Sequence, residues 1–412
     1  MANPTTYASA KQFVGLAKEV TQGTAVTPTV TVPVEKFDPE DKITWLDDKA
    51  MRGSMTETYN RVQGPMHTEY DISGPAFFDS LGYLLNNVLG DDVESGTYTG
   101  SGTTTMSSSS AAGAPTISTA ATIAASTVIQ IDSANLSEVR TVSSVTGAGP
   151  FTLTLNNPLT YAHNTSTVVQ PITSPFSHQF SVLNSGNGQP GSLTFTDYQG
   201  PTATVGARAY TGCCLSELTV KGNAESTLIT YDGKGMGWPS AAAVSTPVSS
   251  PSTVQPFAAW RFQLGLAGPA TGGTLVKTVG DFEVAIKRSL QIIYTGQNLA
   301  TPYFIQRGKV TVTGKLGFTA AADETPLTYL LANTQPQFQL LATNALAGAS
   351  LLSLQFDSQT AAWTTSKIDR SKDTVGYAVE FEAIANTTNA GGSGGFSPMA
   401  VTLKNAVANN TY

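Results

Sequence analysis

Asp281-Phe-Glu-Val-Ala-Ile-Lys287 alternates apolar and polar residues, setting Phe282, Val284 and Ile286 against Asp281, Glu283 and Lys287. His67-Thr-Glu-Tyr-Asp-Ile-Ser73 does the same, with His67, Glu69, Asp71 and Ser73 on one side and Thr68, Tyr70 and Ile72 on the other. Successive side chains of a strand point to opposite faces, so a period of two predicts ribbons with one apolar and one wet face. Lys309-Val-Thr-Val-Thr313 and Val379-Glu-Phe-Glu-Ala383 repeat the pattern. More strands are expected near Phe176–Val182, Ser192–Thr196, Leu215–Lys221, Ser226–Tyr231, Phe338–Leu341 and Leu351–Phe356. Helical spacing is confined to Ala76–Leu89 and to Thr325–Asn333, where Pro326 suits a first helical turn. The fold class is therefore mainly β, with short helices.

Composition narrows the function. The 412 residues carry 22 basic and 29 acidic side chains, only 12% charged, with a net charge of −7. Ser, Thr, Ala and Gly fill the shortfall, which argues against a coiled coil and against charge-driven disorder. The acidic balance and scattered Lys and Arg argue against tight nucleic-acid binding, which needs clustered cations on phosphates. The longest uncharged stretch, Thr141 to Thr196, is rich in Thr, Ser, Asn and Pro. It is not an apolar span, so no membrane insertion is expected. Met1-Ala-Asn-Pro-Thr-Thr-Tyr7 lacks the basic and apolar regions of a secretory signal. Cys213 and Cys214 are neighbours, read as two thiols of a chain made in a reducing compartment.

The chain divides by composition. From Thr99 to Thr127 nearly every residue is Ser, Thr, Ala or Gly, and short β-like pieces follow at Val128–Ile131, Val139–Val145, Phe151–Leu155 and Val168–Gln170. Residues 99–174 are read as a small β module inserted into a first domain of residues 1–98 and 175–239. Residues 240–256 form a Pro-rich linker, and residues 257–412 a second domain. The two domains share a signature. Tyr70-Asp-Ile-Ser-Gly74 precedes Tyr83-Leu-Leu-Asn-Asn87, and Val310-Thr-Val-Thr-Gly314 precedes Tyr329-Leu-Leu-Ala-Asn333. A duplicated β domain accounts for both.

Nothing in the sequence points to catalysis. His67, His163 and His178 are far apart, and no metal, redox or phosphate-loop spacing is present. Asp47-Asp48 and Asp91-Asp92 lack the alternating acids of a calcium loop. Asp281/Glu283 and Glu380/Glu382 could pair as acid and base, but strand alternation alone places each pair on a wet face. No catalytic residue, cofactor or metal site is expected.

The sequence resembles the tail tube (major tail) proteins of long-tailed bacteriophages. The residues carrying the resemblance are Phe13-Val-Gly-Leu-Ala-Lys-Glu-Val-Thr-Gln-Gly-Thr24, Met51-Arg-Gly-Ser54, Val62-Gln-Gly-Pro65, Ile72-Ser-Gly74 and Leu81-Gly-Tyr-Leu-Leu-Asn-Asn-Val-Leu-Gly90. Arg208-Ala-Tyr-Thr-Gly-Cys213, leading into Leu215-Ser-Glu-Leu-Thr-Val220, completes the set. The insert resembles the small β modules that decorate phage tail proteins. The resemblance implies a tail-tube-type β-sandwich or barrel subunit, duplicated and bearing a small inserted β domain. It implies rings stacked into a hollow tube that conducts DNA, made of hexamers or of trimers imitating hexamers. It further implies a structural protein of the virion tail, assembled in the host bacterial cytoplasm, whose partners are tape measure, terminator and baseplate proteins.

A DNA conduit must not grip its cargo, so its wall should carry acids or small polar groups. Glu69, Asp71, Asp281, Glu283, Glu380 and Glu382 are the candidate lumen-facing acids, with double-stranded DNA a transient, non-specific passenger. Segments that bridge rings should be extended and poor in pattern, and the N-terminal arm to Glu35, Lys36–Pro65, residues 240–256 and Asn405–Tyr412 meet that description. Rival readings are another virion β protein (tail terminator, baseplate ring or fibre adhesin) or a secreted carbohydrate-binding β protein. The missing signal peptide weighs against the last.

Overall fold

The computed structural model describes residues 9–132, 136–199, 207–225, 227–243, 255–320, 325–370 and 373–412. The chain is mainly β and builds several sheets, one of them curved as a half-barrel. Eight of its strands form a continuous antiparallel wall: β1 (Lys36–Asp48), β2 (Asn60–Pro75), β3 (Arg208–Asn223), β4 (Thr230–Gly237), β5 (Val279–Ile293), β6 (Phe304–Thr319), β7 (Ala361–Asp369) and β8 (Gly376–Ala383). Their order across the wall is β1-β2-β4-β3-β5-β6-β8-β7. The first four strands and the last four thus follow the same sequence of neighbours. Glu217–Asn223 of β3 joins the two sets by pairing with Asp281–Lys287 of β5.

Alternation settles which way the wall faces. Phe282, Val284 and Ile286 are buried, as are Tyr70, Ile72, Val379 and Phe381, while the polar residues between them stay accessible. Each large apolar side chain so buried contributes roughly 1.5–3 kcal/mol. Two further layers cover this apolar face. One continues from the first part of β3 through Leu193–Tyr198, Phe13–Lys18 and Val30–Val32. The other holds seven strands, among them Phe262–Leu266, Phe338–Thr343, Ser353–Ser358, Ala400–Asn405, Phe176–Val182 and Gly90–Ser95. One core runs through all of them.

Helix α1 (Leu81–Val88) is buried along its whole length and packs on β3, and α2 (Thr325–Leu331) packs in the corresponding place on β7. Asn87, read in the sequence as part of a repeated signature, stitches β3 to the helix. Its amide donates to the carbonyls of Gly191 and Cys213 at 2.9 and 3.1 Å, and its oxygen accepts from Leu215 N–H at 2.8 Å. This is the point where β3 passes from one sheet to the other. Gly212 sits there with φ +59°, and a Cβ on it would fall 2.0 Å from the ring of Trp238, so the bend requires glycine. The buried carboxylate of Glu19 fastens the same bend, accepting from Gly212 N–H (2.8 Å), Ser192 Oγ (2.6 Å), Thr194 Oγ1 (2.7 Å) and Gly23 N–H (2.9 Å). Burial raises its pKa while these donors pull it back.

Residues 104–172 fold into a separate six-stranded sheet with its own core of Ile117, Ile129, Ile131, Val142, Leu153 and Val169 among others. The Ser/Thr/Ala/Gly-rich lead-in contributes strands to it, because Ile117 and Ile123 supply the apolar anchors. The strands entering and leaving this segment, Gly90–Ser95 and Phe176–Val182, pair side by side, which brings its two ends together.

Three segments expected to be poor in regular structure are ordered instead. Phe13–Lys18 and Val30–Val32 are core strands, with Leu16 wholly buried, so this part of the N-terminal arm belongs to the fold of its own chain. Lys36–Pro65 is not irregular but forms β1 and the first part of β2, because Pro39 stands on an outer strand and Pro65 lies at the register shift opposite Ile43 and Trp45. Asn405–Tyr412 folds back onto its own chain. Tyr412 is 2% exposed, its hydroxyl donates to Asp79 O at 3.0 Å, and its ring lies against Tyr83 and His178. Most of residues 240–256 lies outside the described residues. Replacing Tyr412→Ala should therefore cost about 3–5 kcal/mol of stability, as for other large aromatic truncations in cores. A urea melt measures it, and a loss below about 1 kcal/mol would mean that the tail is not part of the fold.

Candidate functional site: the polar face of the wall

The accessible face of the wall is an ordered array of charges. Antiparallel registers line residues up in rows that cross the strands. One row reads Thr230, Lys221, Glu283, Lys315, Glu380, Thr365 from β4 to β7. Another reads Asp38, Asp71, Lys234, Glu217, Lys287, Thr311 from β1 to β6. Lysines and acids mostly alternate along both.

The contacts run along the rows and diagonally between them. Lys315 Nζ lies 3.1 Å from Glu283, Lys287 Nζ 3.2 Å from Glu217, Lys221 Nζ 2.5 Å from Asp232, and Lys36 Nζ 3.4 and 3.6 Å from Asp38 and Asp71. The hydrogen bond from Lys315 to Glu283, with the charges of Glu283 and Glu380, holds the lysine pKa above its ordinary value. Such exposed pairs add little to stability, about 0–1 kcal/mol each. Their consequence is electrostatic, since these four lysines are engaged by acids of their own sheet.

The structure places all six candidate acids on this face. Glu69 and Asp71 stand on β2, Asp281 and Glu283 on β5, and Glu380 and Glu382 on β8. Glu283 and Glu380 flank Lys315 from either side. Glu69 stands 3.6 Å from His67 Nε2. Asp281 lies over Gly317, where a Cβ would sit 2.3 Å from its Oδ2. The lysines opposite them were read in the sequence as scattered and alone. Only strand pairing brings Lys221 or Lys287 to an acid on another strand.

Two arginines read the same way are buried. Arg288 donates to the carbonyls of Gly308 (2.8 Å), Val88 (3.1 Å) and Gly188 (2.8 Å). Arg307 donates to those of Asn87 and Gly191, both at 3.1 Å, and to Cys214 Sγ at 3.0 Å. They cap the C-terminal carbonyls of α1, where a helix end favours positive charge. Burial, with Arg307 alongside, pushes the Arg288 pKa down to about 10, so it stays cationic at neutral pH. Neither guanidinium is offered to the polar face.

The wall ends in two open edges. β1 pairs only with β2, and β7 only with β8, among the described residues. Beyond the wall, the hairpin joining β1 to β2 carries accessible Trp45, Leu46, Met51, Met55 and Val62. The hairpin joining β5 to β6 rests on it, with Met66 N–H donating to Ala300 O at 2.9 Å, and exposes Leu299 and Tyr303. No helix among the described residues is long and apolar enough to cross a membrane.

A family model described as phage tail tube protein matches residues 9–383. No curated protein matches the chain.

Proposed function

Because the chain belongs to the phage tail tube protein family and is a structural component of the virion tail, we propose that it closes into rings through the edges of its eight-strand wall. The observation that carries this reading is the strand order. β1-β2-β4-β3 and β5-β6-β8-β7 are the same arrangement twice, and β3 meets β5 inside the chain. The free edges, β7 and β1, are the counterparts of β3 and β5. A β7 edge laid on the β1 edge of the next chain repeats outside the subunit the joint already made within it, and leaves no edge unpaired.

The halves are thus two copies of one tail-tube domain, the second being residues 257–412. The first is interrupted by the module of residues 99–174. The match extends to Val14-Gly-Leu-Ala17 and Leu264-Gly-Leu-Ala267, each followed after five residues by a Gly-Thr. A chain that holds two copies closes as a trimer imitating a hexamer. Three chains of eight strands at about 4.8 Å per strand give a wall roughly 40 Å across, wide enough to admit a DNA double helix.

The polar face then lines the bore, since the opposite face is covered by the other sheets. Its rows of paired charges would present phosphates with acids and with lysines already occupied, so DNA slides and is not held. Stacking of rings falls to the two hairpins with their accessible apolar tips. The role is structural, not catalytic. Terminator, tape measure and baseplate proteins are the partners at the tube's ends, and assembly takes place in the host cytoplasm.

Negative-stain images of the purified chain test the reading. They should show hollow tubes of uniform bore, and discrete particles would overturn it. The same chain lacking residues 99–174 should give tubes of equal bore and smaller outer diameter. Failure of that variant to assemble would make the module part of the ring and not a decoration on it.

A further inference from the structure

We propose that Asp92, Glu94 and His178 bind a divalent first-row transition metal ion, zinc fitting the donor set best. The three lie on Gly90–Ser95 and Phe176–Val182, where His178 is registered opposite Glu94 and Phe180 opposite Asp92. Their ligand atoms all fall within 4.8 Å of one another. His178 Nδ1 is 3.3 Å from Asp92 Oδ2 and 3.7 Å from Glu94 Oε1. Metal–ligand bonds of about 2.0–2.1 Å in a tetrahedral site put the ligand atoms roughly 3.3–3.4 Å apart, close to the two separations from His178 Nδ1.

The tautomer supports the assignment. His178 Nε2 is 3.1 Å from Val407 O, and a carbonyl only accepts, so Nε2 carries the hydrogen. The lone pair of a neutral imidazole is then left on Nδ1, facing two carboxylates. Carbonyl-bound Nε2–H is also the usual outer contact of a metal-bound histidine. The imidazole is wholly buried, and the carboxylates are 11% and 18% exposed. Asp92 Oδ1 is buried with no hydrogen-bond partner.

Two carboxylates and a neutral imidazole carry two negative charges into a sheltered site. A proton on Nδ1 would cancel one and leave Asp92 Oδ1 bare. A divalent ion cancels both and takes that oxygen into its reach. Nitrogen and oxygen donors suit zinc or manganese better than calcium, which takes six or more oxygens.

The ion would clamp three parts of the chain. The two strands carrying the ligands are those that enter and leave the module of residues 99–174. The C-terminal segment lies over the site through Val407 O on His178, Asn410 N–H on Glu94 Oε1 at 2.5 Å, and the ring of Tyr412 at 4.6 Å from the imidazole. The site escapes notice in the sequence because Asp92 and Glu94 lie more than eighty residues from His178.

The full chain, stripped with a chelator and titrated with zinc by calorimetry, should bind one ion per chain, and zinc should raise Tm by several degrees. Asp92→Asn and His178→Gln should each weaken zinc at least ~10-fold. Glu94→Gln, at the most accessible of the three, guards against loss of folding and should do the same. Cobalt in place of zinc should give visible absorption bands that vanish in these variants. Absence of zinc binding with Tm unchanged by zinc overturns the proposal, and so does binding that all three variants leave intact.

Discussion

Tubes assembled from a chain carrying Lys36→Cys and Ala362→Cys are expected to cross-link under mild oxidation into covalent trimers. Each single variant should remain monomeric on a denaturing gel. The pairing follows from the joint inside the chain, where Thr219 of β3 faces Ala285 of β5. Thr219 and Ala362 are counterparts because they pair with Asp232 and Glu382. Those acids in turn pair with Ser73 and Thr313, next to the glycines of the repeated Ser/Thr-Gly. Lys36 and Ala285 are counterparts because Lys36 pairs with Ser73 and Ala285 with Thr313. Residues directly opposite in an antiparallel pair have Cβ atoms about 4.5–5.5 Å apart, near the reach of a disulfide. The native Cys213 and Cys214 are buried and should not interfere. The effect is all or none. Hexamers on the gel would refute trimeric rings, and a Lys36→Cys, Lys367→Cys chain that links equally well would refute the register.

A second large effect is expected from Glu283→Lys with Glu380→Lys. These two acids flank Lys315, and Lys221 stands beside Glu283. Reversing both would leave four lysines in succession along one row. Tubes of this variant should retain short duplex DNA at about 50 mM salt, while unmodified tubes let it pass. If six to ten phosphates are engaged per duplex, affinity should fall about 10³–10⁵-fold between 50 and 200 mM salt. The loss of exposed pairs should leave the fold intact, since each contributes under about 1 kcal/mol. Intact tubes that still release DNA at low salt would show that this face does not meet the cargo.

Much of this was legible in single segments. Asp281–Lys287 and His67–Ser73 announce strands with one wet face, and the buried Phe282, Val284 and Ile286 lie where that alternation puts them. Phe13–Thr24 and Arg208–Cys213, two of the segments carrying the family resemblance, meet in space. Glu19 of the first accepts the N–H of Gly212 in the second. The Tyr-Leu-Leu-x-Asn signature marks the two helices. Both ends of the chain are ordered although their sequences show little periodicity. Short strands such as Val30–Val32, and a tail held by one aromatic ring, carry too few residues to show a period.

By itself, the sequence determined which side of each ribbon is wet, how few cations the chain carries and which family it belongs to, because alternation and composition are properties of neighbouring residues. Only the tertiary structure decided that the wall repeats its strand order, that β1 and β7 are its open edges, and that each lysine row is interleaved with acids. It alone gathered Asp92, Glu94 and His178. These depend on which strands pair and in which register, and that is set by burying one shared core across segments hundreds of residues apart.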